Sequence, residues 1–195
     1  MIQPYGVILA GGQATRMGGG DKGLLPLGTG TILSHVMERF EPQVAGLAIN
    51  ANGDPARLRS LGLPVIADSI SGFAGPLSGV LAGLDWAARQ GASHIVTAAA
   101  DTPFFPCDLV PRLILAAETA GTHIALAATP GGRHPTFGLW PVALRDDLRA
   151  ALTDGLRKVV LWTDKHGGTT AAFPDDAAFF NVNTPDDLAT AQAML

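Results

Sequence analysis

A chain of 195 residues and 20.1 kDa is long enough to bury one core and cramped for two, so residues 1–195 are expected to form one domain. Thirteen Lys and Arg against 17 Asp and Glu give a formal net charge of −4, and no basic block is present to grip duplex phosphates, which argues against nucleic acid as a partner. The mean hydropathy of +0.26 reflects a core rich in Ala, Leu and Val, because no apolar run approaches the roughly 20 residues of a membrane span.

The first predicted element is a strand, "YGVILA" (5–10), and behind it "LAGGQATRMGGGDKGLLPLG" (Leu9 to Gly28) sets seven glycines, one arginine and one lysine in twenty positions. The spacing fits neither G-x-G-x-x-G nor a P-loop, since Gly11 and Gly12 are adjacent and Lys22 is followed by Gly23. Its chemistry still suits an anion: glycines let backbone N–H groups come close, and Arg16 and Lys22 supply the charge that a polyphosphate wants. The competing reading is a mobile glycine-rich surface loop.

A helix "TILSHVMERFEP" (31–42), a strand "VAGLAIN" (44–50), a helix "DPARLRSLG" (54–62) and a strand "PVIA" (64–67) follow. Asn50 ends the second strand and Asp68 follows the third, beside the glycine loop. The helix "GPLSGVLAGLDWAARQG" (75–91) has a glycine-lined entrance at Gly75 and Gly79, for which plain helix-to-sheet packing is a comparable explanation. The strand "HIVTAAA" (94–100) is closed by Asp101, whose carboxylate is expected at the sheet edge, a position for Mg²⁺ beside phosphates. A turn cap ahead of Thr-Pro is the alternative there.

The helix "PCDLVPRLILAAETAG" (106–121) holds the only cysteine, Cys107, which cannot form an internal disulfide. As "MIQPYG" lacks a leader pattern, the expected compartment is the cytoplasm, away from membranes. Strands "HIALAA" (123–128) and "PTFGLWP" (135–141) come next. In "FNVNTPDDLATAQAML" (180–195) a polar strand end leads into a helix with Thr184 as N-cap, Pro185 first and Asp187 third. Asn181 and Asn183, alternate residues on that strand, would share one face. Repeated strand and helix without repeats or linkers predicts a Rossmann-like three-layer α/β/α domain with a mostly parallel sheet.

In that order, "LAGGQATRMGGGDKGLLPLG", "NAN" (50–52), "ADSISGFAGPLSG" (67–79), "ADTPF" (100–104), "RHPTFGLW" (133–140) and "FNVNTPDDL" (180–188) resemble the MobA-like nucleotidyltransferase family, most of all its molybdenum cofactor guanylyltransferases. The family often carries Cys where this chain has Ala100, but no step of the chemistry needs a thiol. The resemblance implies transfer of GMP from GTP to the terminal phosphate of molybdopterin, with release of pyrophosphate. It implies Arg16, Lys22 and Asp101 as catalytic residues and Leu9, Ala10, Gly11, Gly12, Lys22, Asn50, Asp68 and Asp101 as nucleotide-binding residues. It further implies Mg²⁺ on Asp101 and Asn183, and Arg133, His134 and Asn181 at the pterin substrate. Proteins that deliver or accept the cofactor are further expected partners. The A-G-G form of the loop favours guanylyl over cytidylyl transfer, and the small size disfavours a sugar-phosphate enzyme. Those two activities, and a nucleotide-binding module without turnover, stay as alternatives.

Overall fold

The computed structural model describes residues 3–11, 21–70, 72 and 75–195. In chain order these form β1 (Tyr5–Leu9), a small hairpin of β2 (Pro26–Leu27) and β3 (Gly30–Thr31), α1 (Ile32–Phe40), β4 (Leu47–Asn50), β5 (Val65–Ile66) and α2 (Pro76–Arg89). They continue with β6 (His94–Ala99), α3 (Leu109–Ala120), β7 (Ala125–Thr129), β8 (Gly132–Pro141), α4 (Arg145–Thr153), α5 (Val159–Lys165), β9 (Thr169–Ala172) and α6 (Pro185–Ala193).

The main sheet has seven strands in the order β5-β4-β1-β6-β8-β7-β9. All its strands run parallel except β8, which is antiparallel to both neighbours. Successive side chains leave a strand on opposite faces. Thus Ile8, Ile49, Val96 and Leu139 face one core with α1 and α3, whereas Val7, Ala48, Ile95 and Trp140 face a second core with α2, α4 and α5. This is the three-layer α/β/α arrangement expected from the sequence. The indole of the fully buried Trp140 keeps its N–H satisfied by donating to Thr97 Oγ1 at 2.9 Å.

Several elements depart from the expectation. The segment expected as a helix over 54–62 is a 3-10 helix, Pro55–Leu61, in which Leu58 alone is buried, too narrow an apolar face to anchor an α-helix. The segment 180–183 forms no strand, although the Val182 N–H still donates to the Asp101 carbonyl at 2.8 Å. The hairpin β2–β3, the helices α4 and α5 and the strand β9 had no counterpart in the sequence reading. The helix α6 begins as predicted, with a capping box between Thr184 and Asp187 and Pro185 in its first turn. Its Gln192 side chain clamps the hairpin, donating to the Pro26 carbonyl and accepting from the Gly28 N–H, both at 3.1 Å. A small core of Leu27, Ile32, Val182 and Ala191 fills the space between them.

Candidate active site

Three parallel strands stop at one edge, β1 at Leu9, β4 at Asn50 and β6 at Ala99, and the backbone runs on past them in register. The Ala10 N–H donates to the Asn50 carbonyl at 2.8 Å and the Ala100 N–H to the Leu9 carbonyl at 3.1 Å. Such an edge leaves the following loops free to surround a ligand. Just beyond it, Lys22 opens a single 3-10 turn, Lys22–Leu24. Its ammonium donates to Asp101 Oδ2 at 2.8 Å and to Asn183 Oδ1 at 2.7 Å.

Asp101 lies in a turn after β6, and the next helix, α3, starts only at Leu109 with Asp108 in the N-cap position, so Asp101 caps no helix. The Thr102 hydroxyl lies 3.3 Å from the second Asp101 oxygen and donates its one proton to Asn181 Oδ1. Asn181 and Asn183 thus both turn toward Asp101 and its neighbours, while Val182 between them is buried. The alternation read from the sequence survives without a strand. Asn183 is held from behind, because Asp187 accepts from the backbone N–H groups of Asn183 and Thr184, each at 2.9 Å. The Asn183 N–H first, and then the Thr184 side chain, keep the Asp187 carboxyl below its usual pKa.

The Asp101 carboxylate and the Asn183 amide oxygen therefore converge on one positive point. Two hard oxygen donors of this kind fit a divalent cation that completes its shell with phosphate and water oxygens. Among the described residues no group of three or more His, Cys, Asp or Glu offers a different metal centre.

A second cluster holds Asp68. Asn50, buried at the end of β4, donates to Asp68 Oδ1 at 2.9 Å and to the Ile66 carbonyl at 3.2 Å. Asn52 makes a reciprocal pair with Asp68: its amide donates to Oδ2 and its oxygen accepts from the Asp68 N–H, both at 2.9 Å. Gly11 approaches the same amides, for a Cβ there would lie 3.4 Å from Asn50 Oδ1. At Gly75 the need for glycine is conformational, since φ is +129° where α2 begins. At Gly79 it is steric: a Cβ would fall on Asn50 Oδ1 and 2.8 Å from Leu9 Cδ2. Gly79→Ala is therefore expected to lower unfolding free energy by about 1–3 kcal/mol in a denaturant titration, overpacking outweighing the helix propensity gained. Nucleotide affinity should fall with it, because Asn50 is the residue displaced.

Arg133 and His134 lie at the start of β8, which, running antiparallel, begins at the edge where its parallel neighbours end. Arg133 pairs with Asp164 at 2.8 Å on the exposed side. His134 stacks on Phe179, with ring centroids 4.2 Å apart, and its Nε2 shares a hydrogen bond with Thr129 Oγ1 at 2.8 Å. Burial lowers the His134 pKa, against a smaller opposing pull from Asp176.

The structure thus joins Lys22, Asp101 and Asn183 directly, Asn181 through Thr102, and Asn50 with Asp68, with Leu9, Ala10 and Gly11 alongside. Gly12 and Arg16 lie outside the described residues. Asp21, Asn52, Arg57 and Thr102 have no site role in the sequence reading, where Asp187 enters only as the third residue of a helix. Asn52 was within reach, as the second amide of "NAN", alternate to Asn50. Arg57 gave no local signal, because its partner Asp21 is 36 positions away.

The MobA-like NTP transferase domain family matches residues 6–167. A molybdenum cofactor guanylyltransferase of Mesorhizobium japonicum is 51% identical over 97% of this chain and 95% of its own length. Among solved structures, molybdopterin-guanine dinucleotide biosynthesis protein A from Archaeoglobus fulgidus has the same fold, with a TM-score of 0.73 at 23% identity and 97% of each chain covered. A Mycobacterium tuberculosis protein solved as a manganese complex follows at a TM-score of 0.70 and 19% identity, covering 99% of this chain and 100% of that one. With most of its length matched and about half of its residues shared with such a relative, the chain belongs to the MobA-like NTP transferase family.

Proposed function

We propose that this chain, working over residues 1–195 as one nucleotidyltransferase domain, transfers GMP from GTP to the terminal phosphate of molybdopterin. The observation that carries the reading is the meeting of Lys22, Asp101 and Asn183 at the strand edge, in a chain half identical to a guanylyltransferase. An oxygen of the pterin phosphate forms the new bond to the α-phosphorus of GTP, and the bridging bond to the β-phosphate breaks, releasing pyrophosphate. The attacking phosphate is already ionised near neutral pH, so no side chain has to remove a proton. The work left to the protein is positioning and charge neutralisation.

Lys22 moves from Asp101 and Asn183 onto the triphosphate, and Arg16 adds a second positive charge there. The backbone of Leu9, Ala10, Gly11 and Gly12 lines the phosphates. Asp68, held by Asn50 and Asn52, accepts from the guanosine part, and Asn50, whose N–H groups are taken by Asp68 and the Ile66 carbonyl, keeps its amide oxygen for the nucleotide. Mg²⁺ on Asp101 and Asn183, when bound, neutralises charge on the phosphate oxygens around the reacting phosphorus. Arg133, His134 and Asn181 face the pterin substrate. Leaving His134 neutral near pH 7, as its lowered pKa does, suits it to hydrogen bonding and stacking rather than to charge pairing. A cytoplasmic location follows from these substrates, as do encounters with proteins that supply molybdopterin or take up the product.

The deciding experiment follows pyrophosphate release with Mg²⁺, molybdopterin and each nucleoside triphosphate in turn. GTP is expected to give turnover at least about tenfold above CTP, a difference of about 1.4 kcal/mol in the barrier. Faster turnover with CTP would assign the cytidylyl reaction instead. Binding of GTP without release of pyrophosphate would leave a nucleotide-binding module.

A further inference from the structure

We infer that Arg57 is a positioning residue that locks the triphosphate half of the site, at Lys22, to the nucleoside half, at Asp68, so that both parts of one nucleotide are met in register. This deepens the reading above and rests on it. Each of the three nitrogens of the Arg57 guanidinium donates a hydrogen bond. Its Nε donates to Asp21 Oδ2 at 2.5 Å, Nη1 to the Asp54 carbonyl at 2.6 Å and Nη2 to the Asn52 carbonyl at 2.7 Å. Asp21 is joined through one peptide bond to Lys22, whose ammonium reaches Asp101 and Asn183. Asn52 is the residue whose side chain holds Asp68 from two directions. A single planar fork therefore ties the end of the glycine loop to the segment after β4.

The backbone is shaped for this contact. Gly53 sits between the two carbonyls that Arg57 binds and takes a φ of +85°, and a Cβ there would stand 3.4 Å from Arg57 Nη1. Lysine has no planar fork, and its single nitrogen cannot reach all three of the acceptors that the three separate nitrogens of Arg57 meet. The Arg57–Asp21 pair is part-exposed, at 32% and 20%, so its contribution to global stability is small. Loss of binding is thereby separable from loss of fold. Arg57 has no share in the bond-making step: it acts through Asp21 and Asn52.

The test compares metal-free binding of GTP and of guanosine, each measured by competition with a fluorescent GTP analogue, across Asp21→Ala, Asn52→Ala, Arg57→Ala and Arg57→Lys. Asp21→Ala should weaken GTP about tenfold and leave guanosine within about twofold, whereas Asn52→Ala should weaken both alike. Arg57→Ala should weaken both ligands, GTP the more, and Arg57→Lys should fail to restore either. The double variant Asp21→Ala with Arg57→Ala should bind GTP no more weakly than Arg57→Ala alone, since the two side chains form one link. Wild-type affinities in Arg57→Ala, or full addition of the two losses in the double variant, would overturn the inference. If Arg57→Ala does not fold, the same split between ligands in Asp21→Ala and Asn52→Ala decides, and equal effects of those two on both ligands would overturn it. Failure of the unaltered protein to bind GTP would overturn the functional reading instead, a result distinguishable from all of these.

Discussion

Asp101→Asn is expected to remove most of the turnover and leave the fold in place. The substitution keeps size and shape, and the backbone bond from Val182 to the Asp101 carbonyl does not involve the side chain. No helix begins at Asp101, so no cap is lost. What disappears is a negative oxygen facing the Lys22 ammonium at 2.8 Å, the oxygen that the proposed reaction gives to a divalent cation. Both partners are partly exposed, at 20% and 25%, so stability should change by about 1 kcal/mol or less in a urea melt. Turnover should fall well over tenfold, more than about 1.4 kcal/mol of transition-state stabilisation, while GTP binding without metal changes much less. Near-normal Mg²⁺-dependent release of pyrophosphate by this variant would mean that the cation is held by other residues.

Lys22→Ala is expected to push two affinities in opposite directions. Without the ammonium the triphosphate loses a charged partner, and GTP should bind about tenfold more weakly or worse, in line with the loss of a charge-assisted contact. Asp101 Oδ2 and Asn183 Oδ1, by contrast, are freed from a donor only 2.8 and 2.7 Å away. Nucleotide-free protein should then take up Mn²⁺ more tightly than the unaltered protein, as read by the loss of free Mn²⁺ signal in electron paramagnetic resonance. Unchanged GTP affinity would remove Lys22 from the triphosphate site, and unchanged Mn²⁺ affinity would separate the cation site from Asp101 and Asn183.

The central fold was legible because its signals are local. The run "YGVILA" is apolar on both faces, as a strand between helix layers must be, and Thr184, Pro185 and Asp187 mark a helix start within four positions. The elements that escaped lack such marks. The helix α4 begins with charged residues and buries only Leu148 and Leu152, and β9 is four residues of Thr and Ala. The antiparallel direction of β8 was recoverable, since the six residues 129–134 between the two predicted strands are too few for a parallel crossover.

In the site, Asp101 and the alternating Asn181 and Asn183 could be seen from spacing, but the encounters of Asp101 and Asn183 with Lys22 span 79 and 161 positions and are written in no local pattern. The Asp21–Arg57 link is hidden for the same reason. Asn50 illustrates a different limit: residue type and strand position mark it for the site, but only packing reveals that its amide N–H groups are spent on Asp68 and on the strand beside it.

The clamp of Gln192 on the hairpin bears on the order in which the chain matures. Lys22 and Asn183 meet only after α6 has docked on β2 and β3, a closure between distant parts of the chain and therefore a late one. A molecule with its sheet complete and α6 loose keeps Asp101 beside Lys22 but lacks the support that Asp187 gives Asn183, so its cation point is half built. A divalent cation held by both Asp101 and Asn183 would therefore favour the molecule with α6 docked over the one with α6 loose.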